Sequence, residues 1–360
     1  MNVNRIMGEA LTEAQIESLL AGKKILLKGN GYADILSNNT IYTRKKLTAI
    51  FSRQYCLKKG VYMEKEHVSD NMNVIKKAYD ILKKGYAFHN STLRIQMSNF
   101  EGLSEEDYKR IDYKLKAIRQ DYAKILVIMN SIDRTYLAYQ KNEYVPTYFS
   151  SMNNQATDEL GCFIEYLFAK YRVILEYIQQ ILEICIPPRF DKVQASKYSQ
   201  LKKSYKKYNV LLKYIAENIG DDNNLLNMEW FQSVRVERDF IIHDGATCLV
   251  FGDKENLLFK VMTTDSLDKD EDIEQDTFYV NDKGLVYYAR YWGLQISKLI
   301  IFSEIVFGFL MNDSRMSDEA KWSLEQVQVK NVFVDENGIE VKDSQDVLVD
   351  ILRSIIESDR

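Results

Sequence analysis

Three histidines, His67, His89 and His243, supply all the imidazole in this 360-residue chain, so the search for proton-transfer chemistry is short. His67 stands in a Glu-Lys-Glu-His run, and His89 follows Phe88 beside Asn90 and Ser91. Both read as surface or structural residues. His243 differs because it closes the segment Arg238-Asp239-Phe240-Ile241-Ile242-His243, which gathers a guanidinium, a carboxylate and an imidazole. An imidazole with its ordinary pKa of ~6.5 takes and returns protons near neutrality. A guanidinium stays charged and forks onto two oxygens of one anion. Asp239 and His243 stand at i and i+4 on one helix face. A carboxylate there can hold the ring in one tautomer and stabilise its protonated form.

An Arg, a polar residue after it and a His five positions on resemble the R-x4–6-H motif of the HEPN superfamily (higher eukaryotes and prokaryotes nucleotide-binding domain). As an architecture the resemblance covers roughly 105–312; as a motif it covers only these residues. It implies a metal-independent endoribonuclease of bacterial toxin or antiphage-defence type, with Arg238 and His243 catalytic and Asp239 orienting. The chemistry is self-consistent. RNA carries its own nucleophile, the 2′-hydroxyl, beside each phosphate. Cleavage needs a base for that proton, an acid for the 5′-oxygen and positive charge on the crowded phosphorus. The resemblance also implies 2′,3′-cyclic phosphate and 5′-hydroxyl ends, RNA as partner, and a homodimer whose second His243 supplies the other imidazole. A regulatory partner such as an antitoxin is implied too. No cofactor or metal is called for.

A bland reading of the same residues exists. Arg238 pairs with Asp239 or Glu237, His243 sits favourably at a helix C-terminus, and Gly245 serves as the left-handed cap. The rival functions are a catalytically silent HEPN-like dimeric module that binds a nucleotide or a partner protein, and a structural helical protein whose last apolar helix is an oligomer interface.

The elements that must position these residues follow from periodicity. Leu225, Met228, Phe231, Val234 and Ile241/Ile242 recur at helical spacing, which predicts one helix from about 223 to 244, with Arg238 on its apolar stripe. On an ideal helix His243 lies about 140° round from Arg238. Convergence then requires a distorted helix end or a second protomer. Ser104 and the acids after it open a helix of more than thirty residues, and 156–185 repeats apolar residues along one stripe until Pro187-Pro188. A further helix is predicted over about 192–217. It carries seven lysines from 192 to 215 and no acid, and Lys202, Lys203, Lys206 and Lys207 read as an RNA backbone track.

After Gly245 the period changes to short alternating runs at 247–288, which predicts a small antiparallel sheet. Apolar residues at about 287–311 predict a closing helix, VFVDENGIEV a hairpin, and 345–357 a short amphipathic helix. The fold class is therefore mainly α: an antiparallel helical bundle with a small antiparallel β insertion and small mixed terminal segments. The domains read as a basic mixed module at 1–65, a HEPN-like domain at 66–312 and a hairpin with a helix at 313–360. In the first module KKILLKG is a strand before a turn, and TRKKLTAIFSRQYCLKKG a basic helix.

Composition bounds the rest. A net charge of −4 excludes a polycationic coat, although residues 1–60 hold ten Lys/Arg against four Asp/Glu. Residues 265–276, with seven acids and one lysine, read as a solvated loop that repels RNA. Cys56, Cys162, Cys185 and Cys248 lie far apart without a C-x-x-C pair and read as reduced thiols of a cytosolic protein. The polar start lacks a signal-peptide core. The apolar run Leu299–Met311 reads as too short to span a membrane, with Glu304 interrupting it. A cytoplasmic protein without membrane contact is the expectation.

Overall fold

A computed structural model describes residues 5–6, 9–21, 25–26, 31–36, 40–45, 68–85, 87–88, 103–141, 155–187, 207–228, 230–243, 245–252, 256–262, 278–280, 285–311 and 344–358. The chain is mainly helical, with a small three-stranded antiparallel sheet in its second half.

Near the N-terminus, β1 (Arg5–Ile6) pairs with β2 (Glu9–Ala10). Helix α1 (Glu13–Leu20) packs on the antiparallel set β3 (Ile25–Leu26), β4 (Gly31–Leu36) and β5 (Thr40–Lys45). The KKILLKG strand is present in part, as β3. The basic helix predicted from Thr43 is corrected at its start: Thr43, Arg44 and Lys45 belong to β5, where Thr43 pairs with Ala33. The preceding Thr-Ile-Tyr run favours extended backbone and carries the strand through them. The rest of that segment lies outside the described residues, as do the VFVDENGIEV hairpin and the acidic loop.

Helix α2 (Val68–Lys84) precedes the two longest helices among the described residues, α3 (Glu105–Lys141) and α4 (Gln155–Cys185), which pack against each other. Ser104 caps α3: its Oγ accepts from the Asp107 amide at 3.1 Å and donates to the Asp107 carboxylate at 2.8 Å. Three acids in the first turn complement the helix dipole. The buried stripe of α4 runs from Leu160 through Ile164, Tyr171 and Ile178 to Cys185, and Pro187 follows its end.

Helix α5 (Lys207–Ile219) leads to a short 3-10 turn at Leu225–Asn227 and then to α6 (Phe231–His243). The single helix predicted from about 223 is therefore two pieces. Asp221 caps the short turn, its carboxylate accepting from the amides of Asn223 and Leu226, and the left-handed backbone of Met228 breaks the helix after it. Asn224 and Met228 take left-handed backbone on either side of the turn. Trp230 closes it by donating its indole N–H to the Leu225 carbonyl.

Strands β6 (Thr247–Gly252), β7 (Leu257–Met262) and β8 (Val286–Tyr287) form the antiparallel sheet in sequence order, with Leu249 opposite Lys260. Strand β6 lies on α4 at Gly161. A Cβ there would stand 2.8 Å from the Cys248 carbonyl oxygen. Gly161→Val is therefore expected to lower stability by about 1–3 kcal/mol through overpacking against backbone, read as a lower urea midpoint. An unchanged midpoint would contradict this helix–sheet contact.

Helix α7 (Tyr288–Met311) is buried on nearly every side, as its all-round apolar sequence requires. The helix is longer than the apolar run read from sequence: its 24 residues are long and apolar enough to cross a membrane, and 72% of its apolar 18-residue stretch is buried inside the protein. Helix α8 (Ser344–Ser358) joins the same core through Leu348, Leu352 and Ile355, packing on α2, α3 and α7. Gly293 lets it close, since a Cβ there would meet the Ile355 side chain at 2.9 Å. Gln345 ties it to the end of α2, accepting from the Ala87 amide and donating to the Leu82 and Gly85 carbonyls.

Candidate functional site

Helix α6 presents the Arg238, Asp239 and His243 group. Its first half belongs to the core, where Phe231 and Val234 are buried against α4. Beyond Val234 the helix emerges: Arg238 and Asp239 are half-buried, and Ile242 and His243 are exposed. The apolar stripe read from sequence is corrected at this end, since Ile242 faces solvent. Arg238 consequently sits on the shoulder of the core.

One guanidinium nitrogen links the other two groups. Arg238 Nη1 donates to Asp239 Oδ1 at 3.0 Å and stands 3.4 Å from His243 Nε2. A guanidinium nitrogen has no lone pair to offer, so this contact is a hydrogen bond when the ring accepts at Nε2 with its proton on Nδ1. Convergence thus occurs within one chain and with α6 helical through His243. The requirement for a distorted helix or a second protomer is corrected here. A helical wheel treats side chains as radii, whereas a long arginine bends along the helix surface. Asp239 is placed differently from its expected role as well: its hydrogen bond goes to the guanidinium, which stands between the carboxylate and the ring. Arg238 Nε is buried and has no hydrogen-bond partner among the described residues.

The sheet side of α6 holds a second set of groups that sequence reading missed. Glu165 of α4 accepts from the Cys248 amide at 2.9 Å. Burial pushes the Cys248 thiol well above its ordinary value, with the Glu165 and Glu237 carboxylates adding to it. Lys260 is buried on β7, and burial pushes its ammonium down to about 8 while Glu237 opposes that shift. The available signal was a lone lysine among apolar neighbours in LLFKVM.

Lys260 makes a pH prediction. The unfolded chain keeps this proton up to about 10.5 and the folded chain only up to about 8, so between these values the unfolded state binds more protons. Stability therefore rises with pH across that window. Relative to Lys260→Met, the wild type is expected to gain on the order of 3 kcal/mol from pH 8 to pH 10.5, at 1.36 kcal/mol per unit. Urea unfolding of both proteins across that range checks it, and a constant difference between them would contradict it.

Of the other residues picked out by sequence, Lys202, Lys203 and Lys206 lie outside the described residues, as do His67 and His89. Lys207 opens α5. Among the described residues no group of three or more His, Cys, Asp or Glu side chains is gathered as metal ligands would be. Comparison with protein-family models, curated proteins and solved structures finds no match to this chain.

Proposed function

We propose that this chain is a metal-independent endoribonuclease with a HEPN-like helical bundle, of bacterial toxin or antiphage-defence type. The observation that carries the reading is the 3.4 Å approach of Arg238 Nη1 to an exposed His243 ring, which puts phosphate-binding charge and a proton acceptor side by side at the surface.

When the guanidinium turns from the imidazole to a phosphate, the Nε2 lone pair is released. That nitrogen takes the proton of the ribose 2′-hydroxyl, and the 2′-oxygen forms a bond to the adjacent phosphorus. Arg238 neutralises charge that builds on the non-bridging oxygens. The bond from phosphorus to the 5′-oxygen breaks, and that oxygen takes up a proton. The products are a 2′,3′-cyclic phosphate and a 5′-hydroxyl. In this account Asp239 positions the guanidinium, and a second His243 from a two-fold partner supplies the acid. Lys202, Lys203, Lys206 and Lys207 serve as a backbone track for the RNA.

A specific observation also favours the silent-module reading. Arg238 has a carboxylate partner in its own chain, His243 occupies the last turn of α6, and Gly245 adopts a left-handed φ of 63°. The two readings part on activity. Purified protein incubated with total RNA in EDTA is expected to yield fragments with cyclic phosphate and 5′-hydroxyl ends. Intact RNA, or fragments with 5′-phosphates, would count against the nuclease.

A further inference from the structure

The longest helix pair carries a feature that the α6 site does not use. Asp121 of α3 is buried, and its Oδ1 accepts from two ammonium groups: Lys124 Nζ at 2.8 Å and, across the helix interface, Lys170 Nζ of α4 at 3.1 Å. One carboxylate shared by two lysines leaves positive charge over. Lys114 adds a third ammonium, 5.0 Å from the ring centre of Tyr177 on α4 and 5.7 Å from that of Tyr113 on its own helix. Lys170 in turn stands 5.7 Å from the ring of Tyr166. Three lysines and three tyrosines thus line the seam where α3 meets α4, with Asp121 as the carboxylate bound among them.

The tyrosines differ from those that fill the core. Tyr113 is 67% exposed and Tyr166 37% exposed, whereas Tyr171, on the inner face of α4, is fully buried. An exposed aromatic ring beside an ammonium offers a face for stacking and a charge for an anion within one grip. Single-stranded nucleic acids present that alternation of flat bases and phosphates, and aromatic stacking with backbone charge is the way sequence-tolerant sites hold them. Lys114 and Lys124 are ten residues apart, about 15 Å along α3. That length accommodates a short run of nucleotides and exceeds a single bound anion.

We infer that the outer seam between α3 and α4, built from Tyr113, Lys114, Lys124, Tyr166, Lys170 and Tyr177, is a binding surface for single-stranded RNA. The surface is argued from its own residues, and the choice of RNA over another polyanion rests on the nuclease reading. Lys124 and Lys170 do two jobs here. They neutralise the buried Asp121, which holds them in place, and their remaining charge faces the phosphates.

The test measures fluorescence anisotropy of a labelled oligouridylate over a series of salt concentrations, in a His243→Ala background so that no cleavage intervenes. Lys114→Gln with Lys124→Gln removes the charge of half-buried Lys114 and of exposed Lys124 and leaves Lys170 on Asp121. Tyr113→Ala with Tyr166→Ala removes two stacking faces. Circular dichroism and urea midpoints confirm that each variant is folded. The lysine variant is expected to bind several-fold more weakly, with the slope of log K against log salt shallower by about 0.7 for each phosphate that is no longer neutralised. The tyrosine variant is expected to bind at least about fivefold more weakly. Equal affinity and equal slope in parent and variants would overturn the inference, as would a parent that binds no RNA. An oligoglutamate bound as tightly as the RNA, with the tyrosine variant unaffected, would assign the seam to an acidic peptide instead. Cleavage by wild type with seam variants that bind like the parent sinks this inference alone. Seam-dependent binding without wild-type cleavage sinks the nuclease reading alone.

Discussion

Replacing His243 with Ala is expected to lower RNA cleavage by about 10²–10⁴-fold, the range of one acid–base group, with stability changed by no more than about 1 kcal/mol. The first half of this expectation separates the readings. If His243 serves only the end of α6, its removal costs the small helix-dipole contribution and leaves no activity to lose. The ring is exposed and its polar neighbour is a guanidinium, so little packing depends on it. Arg238→Ala should reduce the rate by a similar factor, because a positive charge aimed at the phosphate contributes about 10²–10³-fold. Arg238→Lys should recover only part of that, since an ammonium keeps the charge but lacks the fork. The Arg238–Asp239 pair is partly exposed, with side chains 26% and 43% accessible, so breaking it costs at most about 1 kcal/mol. Rates measured beside urea midpoints for all three variants distinguish a chemical defect from a folding defect.

The largest expected effect on stability belongs to Trp292. Its side chain is wholly buried in α7, with ring centroids 4.8 Å from Phe168, 5.4 Å from Tyr291 and 6.0 Å from Tyr171. These contacts join α7 to the inner face of α4, whose outer end carries Gly161 and the sheet. Trp292→Ala empties the centre of this aromatic cluster and is expected to cost about 3–5 kcal/mol. The indole N–H has no hydrogen-bond partner among the described residues, so the loss is one of packing. Trp292→Phe, which keeps an aromatic ring, should cost less. The shift in urea midpoint of each variant checks this, and a cost under about 1 kcal/mol for the Ala variant would show that the cluster does not hold the core together.

Where local chemistry governs an element, the sequence was a reliable guide. The Ser104 cap, the stripe from Leu160 to Cys185, the alternation after Gly245 and the amphipathic run at 345–357 each reappear within a few residues of their expected bounds. Reading failed where the local backbone left the pattern. Met228 takes left-handed backbone inside the helix predicted from 223, and so splits the predicted element. Helical-wheel angles also misplace a long arginine, which is why Arg238 reaches His243 within one chain against expectation. Features assembled across sequence were the least visible. Asp121 and Lys170 are 49 residues apart, and neither stands out until α3 and α4 pack together. Lys260 was visible as an oddity in a strand, but its burial and its proximity to Glu237 depend on how α6 meets the sheet.

The most direct test of the central claim offers wild type and folded His243→Ala two substrates in EDTA: an RNA of defined sequence and its all-2′-deoxy counterpart. Wild type is expected to release fragments from the RNA alone, ending in cyclic phosphate and 5′-hydroxyl, because the 2′-oxygen is the nucleophile and His243 takes its proton. Cleavage of the deoxy strand, equal cleavage by the variant, or RNA left whole by wild type would contradict it.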